Sequence, residues 1–354
     1  MTVDVLVVGA GFSGAITAMA LARQGKRVAL VERGTHPRFA IGESSTPLAN
    51  LLLEDLADRY GLDRLRPFSK WGTWQRERPE VGCGLKRGFS FFFHVDGQSF
   101  QDTEQHRRQL LVAASPHDEI ADTHWYRPDF DAALVRDAQD LGVEYLDSAA
   151  LDAPAWHGDT VRVEGHRQGS PLTFQADFLI DASGPRGYLA QAMGLPSRRL
   201  PWLPPTAGLY THFTGVRRWD SACESVGIPP YPVDDAALHH VFPGGWIWVL
   251  RFKNGITSAG AALTHALAAD IGADSGAPGW ARLLDRLPSV RAQFADATPT
   301  HPFVYSPQLA YRCERVAGPG WALLPSAAGV IDPLLSTGFP LTLLGVSRLL
   351  EVLE

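Results

Sequence analysis

Positions 3–8 are apolar apart from Asp4, and four of the six are valine. A run this short and this rich in β-branched residues predicts a buried parallel strand. Small and apolar residues recur at helical spacing over 15–24 and stop at Gly25, and 27–31 returns to a short strand pattern. That sequence of strand, helix and strand is the rhythm of a βαβ unit. A leucine-rich helix pattern opens at Pro47 and closes at Gly61, and a further helix is predicted over 132–142. Strands follow at 143–145 and 174–180, and an aromatic strand at 89–94 interrupts the early half. From about 196 to 306 the chain is richer in Trp, Pro and strand-like alternation, and 342–354 is again helical in pattern.

Composition changes this picture only slightly. With 354 residues, 45% apolar and 20% charged, the chain suits one large or two interleaved domains with a sizeable core. A net charge of −6 does not indicate a nucleic-acid surface. No apolar run approaches a membrane span and the N-terminus carries no basic leader, so a cytoplasmic protein is expected. Cys83, Cys223 and Cys313 are far apart, which argues against a disulfide framework or a thiolate metal site and fits a reducing compartment. Ten tryptophans point to aromatic packing or to large flat cavities.

The chemistry begins between the first strand and the first helix. Gly9-Ala10-Gly11-Phe12-Ser13-Gly14 is G-x-G-x-x-G, and Glu32 stands 18 residues after the last glycine, at the end of the second strand. The glycines allow a tight turn and let the backbone approach a pyrophosphate at the helix N-terminus. The acid is placed to accept hydrogen bonds from ribose hydroxyls. Strand, turn, helix and acid together predict a dinucleotide site; the motif alone does not choose between NAD and FAD. The polar stretch Gly42-Glu43-Ser44-Ser45-Thr46-Pro47 has two physical readings. Ser45 or Thr46 is suited to capping the helix that starts at Pro47, and the free amides of the same turn are suited to facing a ligand.

Here the sequence resembles the FAD-dependent halogenases of the aromatic-hydroxylase flavoprotein superfamily. Residues 37–47 are similar to their G-E-S-x-x-P segment, which borders the flavin. Tyr126-Arg127-Pro128-Asp129-Phe130-Asp131 resembles an element whose arginine lies near the flavin, and Asp181-Ala182-Ser183-Gly184-Pro185 resembles a second flavin-contacting turn. Trp321 to Pro333 resembles the strand and turn that usually carry G-D-A-A, but Pro325-Ser326 replaces Gly-Asp. The resemblance implies FAD held by Gly9, Gly11, Phe12, Ser13, Gly14, Glu32, Arg33, Gly42, Glu43, Ser44, Arg127, Ser326, Asp332 and Gly338. The uncharged Ser326 suits an exchangeable flavin.

Four further places bear on the reaction. Halogenases carry a lysine that meets hypohalous acid arriving from the flavin; Lys86, in Lys86-Arg87-Gly88-Phe89-Ser90-Phe91, fits that pattern as the start of the aromatic strand, with Lys70 as competitor. Burial would suit either lysine to the task by lowering its pKa. Gly245-Trp246-Ile247-Trp248-Val249-Leu250-Arg251 resembles the family's W-x-W-x-I-P box, with Leu-Arg in place of Ile-Pro. Trp246 and Trp248 share one face of a strand and would wall the flavin from the substrate. Ser336-Thr337-Gly338 matches the S-T-G turn whose amides hold halide, or else the flavin pyrimidine. The glutamate that precedes this turn in halogenases of free tryptophan is Leu335 here, which disfavours that substrate.

The resemblance implies an α/β fold: a Rossmann-like FAD-binding domain with an inserted antiparallel-sheet substrate domain. The expected division is 1–105 and 106–195 in the FAD domain, the former with a substrate-facing strand segment, 196–306 mainly substrate domain, and 307–354 FAD domain again. The implied activity is halogenation of an electron-rich phenol- or pyrrole-type aromatic, free or carrier-bound, through a flavin C4a-hydroperoxide and hypohalous acid. Chloride or bromide would be co-substrate, and a separate flavin reductase would supply reduced flavin. Two alternatives stand beside it: a monooxygenase on the same scaffold, which the Leu250-Arg251 departure favours, and a non-catalytic flavoprotein that serves as a maturation partner. Larger members continue beyond the point matching Glu354 into a helical region that closes the pocket, so an open pocket, a shortened chain or a completing partner are all compatible with this end.

Overall fold

A computed structural model describes residues 1–185, 187–222 and 228–354; Cys223 lies outside them. Two units interleave along the chain. One comprises Met1–Ser69, Arg127–Leu200 and Tyr311–Glu354, the other Lys70–Tyr126 and Pro201–Ala310.

In the first unit, strand Thr2–Val8 occupies the middle of a sheet, parallel to Val28–Val31 on one side and to Ser170–Asp181 on the other. Glu144–Leu146 and Trp321–Leu323 extend it in parallel at the two flanks. All four residues of Val28–Val31 are buried, as a parallel strand covered on both faces requires. Strand Ser170–Asp181 is longer than its apolar pattern predicts, because its first half pairs antiparallel with Thr160–Arg167. Helix Phe12–Arg23 begins at the glycine turn itself, ahead of position 15, since Gly11 takes an extended N-cap conformation that leads directly into it. Helix Arg127–Asp140 likewise starts earlier than 132, with Pro128 in its first turn. Helix Pro47–Tyr60 ends at Gly61 in the left-handed conformation, the usual glycine stop.

The second unit is built on an eight-stranded sheet whose backbone order runs Thr206–Thr214, Thr257–Thr264, Gly245–Arg251, Ala237–Phe242, Gly88–Phe93 and Gln109–Ala113. Each neighbouring pair is antiparallel except Ala237–Phe242 with Gly88–Phe93. One face carries Leu209, Ile247, Ala261 and Phe92 into an apolar core closed by Leu267, Trp280, Leu283 and Val290 from helices His265–Asp270, Ala277–Asp285 and Pro288–Gln293. The expected division puts 70–105 in the first FAD-domain segment, which includes a substrate-facing strand segment, and 106–126 in the second. These residues pack with the second unit instead, because Gly88–Phe93 and Gln109–Ala113 complete its sheet and Cys83–Lys86 pairs with Asp122–Trp125. No apolar periodicity announces such long-range pairing.

Candidate functional site

In the first unit the glycine turn gathers a charged and aromatic cluster. Gly9 has φ +101°, and a Cβ there would lie 2.5 Å from the Ser183 Cα; at Gly14 it would lie 1.9 Å from the Gly9 carbonyl. These two glycines therefore close the turn on itself and on the sheet, whereas Gly11 faces side-chain tips: its Cβ would come 3.3 Å from Arg127 Nη2 and 3.5 Å from Arg38 Nη2. No side chain caps helix Phe12–Arg23, and its first turn holds no acid, which leaves its N-terminal amides and positive dipole end for an anion.

Glu32 is buried at the end of its strand. Its carboxylate accepts from the amides of Ala10 at 3.1 Å and Gly34 at 3.0 Å and pairs with Arg38 at 3.3 Å. Burial alone would raise its pKa, but Arg38 and the two amides outweigh burial and hold it below the ordinary glutamate value. Arg127 is buried too. Its Nη1 donates to the carbonyls of Ile41 and Gly42 at 3.0 and 3.1 Å, tying the helix start to the polar stretch, and its guanidinium lies 4.9 Å from the Phe12 ring. Asp131, to which the motifs assign no role, receives the rest of that guanidinium on its carboxylate. The signal was present as an Arg–Asp pair four residues apart on one helix.

The polar stretch divides its work. Thr46 Oγ1 accepts from the Ala49 amide at 3.4 Å and caps the helix, while Ser45 turns to Asn50. Glu43 is buried, Gly42 has φ +82°, and the buried Ser44 Oγ has no hydrogen-bond partner among the described residues. Ser326 Oγ stands 3.4 Å from Ser13 Oγ, so the C-terminal turn reaches the phosphate turn. Phe339, second residue of helix Gly338–Leu353, meets Phe12 edge to face at 5.0 Å, which brings Ser336-Thr337-Gly338 to the same place. Ser336 is in the left-handed conformation, Thr337 provides no side-chain cap, and a Cβ at Gly338 would meet open space. Asp332 accepts from the Leu334 amide at 3.0 Å, and burial raises its pKa. Arg33 is exposed. An uncapped helix start, a glycine cradle, a buried acid and an orphaned buried hydroxyl are the groups that hold a dinucleotide, FAD among them.

In the second unit Lys86 does not start the aromatic strand. It ends strand Cys83–Lys86, which Arg87 separates from Gly88–Phe93; this short strand pairs with Asp122–Trp125, and its Gly84 passes so near the Arg251 carbonyl that a Cβ would lie 1.8 Å away. Lys86 is 0% exposed. Its Nζ lies 4.0 Å from the Phe89 ring centroid. Burial lowers its pKa to about 7, against an opposing pull from Asp122. Lys70, the competitor, is half-buried at the N-cap of helix Trp71–Glu77.

The face of the sheet opposite the apolar core bears a continuous row of ring contacts, stacked at one end and tilted along the rest. His239 lies 4.8 Å from Phe91 and 5.2 Å from Trp246, Trp246 lies 5.7 Å from Trp248, and Trp248 lies 6.0 Å from Tyr210. The two tryptophans share a face, as their spacing predicts. Where the family box carries Ile-Pro, Arg251 donates to Asp234 at 2.8 Å and to the Val216 carbonyl at 2.9 Å, so the departure anchors a neighbouring loop. Among the described residues no cluster of His, Cys, Asp and Glu could hold a metal, and no helix is long and apolar enough to cross a membrane.

This fold and this glycine cradle define a dinucleotide-binding protein, and the family match makes it a flavin-dependent oxidoreductase. The model of the FAD dependent oxidoreductase family matches residues 4–307, and the chain belongs to that family, with FAD as its cofactor. Within it the chain is similar to flavin-dependent halogenases. It is 32% identical to monodechloroaminopyrrolnitrin halogenase PrnC of Pseudomonas fluorescens over 98% of its own length, and 29% identical to tetracycline 7-halogenase of Kitasatospora aureofaciens over 95%. It spans 60% of the length of each of these two relatives. The crystal structure of halogenase PltM in complex with phloroglucinol and FAD superposes on 99% of the chain and 69% of that protein, with a TM-score of 0.84 and 28% identity.

Proposed function

We propose that the chain is an FAD-dependent halogenase of electron-rich aromatics, phenol- or pyrrole-type, free or carrier-bound. The observation that carries this reading is Lys86: wholly buried, against an aromatic ring, and shifted by burial to about 7. Such a lysine exchanges between ammonium and amine near neutral pH. The ammonium donates a hydrogen bond to hypohalous acid; the amine is nucleophilic enough to take up halogen as a haloamine.

Bound FAD, reduced by a separate flavin reductase, supplies hypohalous acid from O₂ and halide. The chain's own part is to hold the dinucleotide on Gly11, the helix Phe12–Arg23 amides, Glu32, Ser44 and Arg127, and to hold chloride or bromide on the amides of Thr337 and Gly338. By the resemblance, Trp246 and Trp248, which share a sheet face in the unit that holds Lys86, would guard the approach to that lysine. Lys86 then directs the electrophilic halogen to a ring carbon, the ring loses its proton, and water leaves. Leu335, before the S-T-G turn, offers no carboxylate to assist a less activated ring, which favours phenols and pyrroles. The similarity to PltM, solved with phloroglucinol, and to a brominase of a pyrrole-2-carbonyl carrier protein from Pseudoalteromonas luteoviolacea supports that substrate class.

The test mixes the protein with FAD, NADH, a flavin reductase, bromide and a panel of phenols and pyrroles, and reads the products by mass spectrometry. A bromine isotope pattern that disappears without bromide is expected. Gain of one oxygen, independent of halide, would replace this reading with the monooxygenase.

A further inference from the structure

We propose that Asp122 is the positioning residue for Lys86: from the opposite strand of the short ribbon it fixes the ε-ammonium and governs when that group gives up its proton. The inference rests on the reading of Lys86 given above. Lys86 and Asp122 are register partners in the antiparallel pair Cys83–Lys86 with Asp122–Trp125. Directly opposed residues of such a pair have Cβ atoms about 4.5–5.5 Å apart on the same face. Asp122 is 1% exposed, so the carboxylate and the ammonium are withdrawn from water together.

Two histidines also face this lysine and carry no countercharge. His124, next on the same face of the Asp122 strand, and His239, from strand Ala237–Phe242, are both held neutral, with pKa values near 3. Burial is the main cause in each, and the Lys86 charge adds to it. His124 Nε2 is 3.2 Å from the Ala236 carbonyl, to which it donates; its Nδ1 and the Nδ1 of His239 have no hydrogen-bond partner among the described residues. The Phe89 ring lies against the ammonium at 4.0 Å and supplies a soft aromatic face. Asp122 thus opposes the desolvation that drives Lys86 toward the amine. Removing it takes away the charge that opposes this desolvation, and a buried cation so weakened is relieved by losing its proton.

The experiment follows the Lys86 Cε and Nζ resonances by NMR in the FAD-loaded, oxidised protein labelled at lysine, with Lys86→Met giving the assignment. Asp122→Asn is expected to lower the Lys86 midpoint by about one pH unit or more, and Asp122→Glu to restore it. The pH profile of product formation should move in the same direction. An unchanged midpoint in Asp122→Asn overturns the proposal. Thermal stability supplies a second measurement should Asp122→Asn fold poorly: Lys86→Met/Asp122→Asn is expected to melt above either single variant, since it leaves no lone buried charge. Simple additivity of the two losses overturns the pairing. Failure of the underlying reading has a different signature: full product yield from Lys86→Met ends a positioning role in catalysis even where the titration of Lys86 follows Asp122.

Discussion

Arg127 and Asp131 face each other across one turn of helix as a two-pronged pair, with Nε and Nη2 each 2.8 Å from a carboxylate oxygen. Both side chains are buried, so the pair holds the guanidinium rigidly beside the glycine turn. Asp131→Ala leaves that cation uncompensated. A loss of about 3–5 kcal/mol of stability is expected from urea unfolding, together with weaker FAD binding. A change under about 1 kcal/mol would mean that the Ile41 and Gly42 carbonyls suffice to hold Arg127.

Gly11→Ala places a methyl group among the Arg127 and Arg38 side-chain tips, where a pyrophosphate is expected to approach. Contacts at 3.3 and 3.5 Å ask for a shift of only a few tenths of an ångström, so folding should survive. FAD affinity should fall at least about tenfold, equivalent to about 1.4 kcal/mol, in a titration followed by flavin fluorescence. Unaltered affinity would move the phosphates away from this turn.

The contrast between these residues and the surroundings of Lys86 shows what the sequence could disclose. The glycine turn, Glu32, the capping of helix Pro47–Tyr60 and the shared face of Trp246 and Trp248 are local patterns, each read within a few residues. Asp131 was within reach, since its spacing from Arg127 is a helical one. Asp122, His124 and His239 were not: they sit in unremarked stretches and reach Lys86 only through strand pairings across up to about 150 positions. The same long-range pairing moved 70–126 out of the expected FAD domain.

Gly260 is the gap through which the row of rings closes. It lies opposite both Tyr210 and Trp248 in the sheet, and a Cβ would lie 2.3 Å from the Tyr210 Cβ and 2.5 Å from the Trp248 ring. Gly260→Ala should cost about 1–3 kcal/mol of stability and alter the near-ultraviolet circular dichroism. An unperturbed spectrum with wild-type stability would show that the row tolerates separation of its rings.

Lys86 also makes stability depend on pH, with a sign that follows from its lowered pKa. Between about 7 and its ordinary value of 10.5 the unfolded chain binds this proton and the folded chain does not. Stability therefore rises with pH across that window and the gain is lost as pH falls toward 7. Lys86→Met removes the contribution, so the wild type should gain on the variant steadily from pH 7 to 10 in chemical denaturation. A difference independent of pH would place the Lys86 midpoint at its ordinary value in the folded protein.

The most direct measurement compares wild type and Lys86→Met under reduced FAD, O₂ and bromide, following O₂ consumption, hypobromous acid captured by a chemical trap, and brominated phenol in the same reaction. The account predicts O₂ consumption and trapped hypobromous acid near wild-type levels in the variant, with brominated phenol reduced by about a hundredfold or more. Undiminished brominated phenol from Lys86→Met, or its loss from Lys70→Met instead, would contradict it.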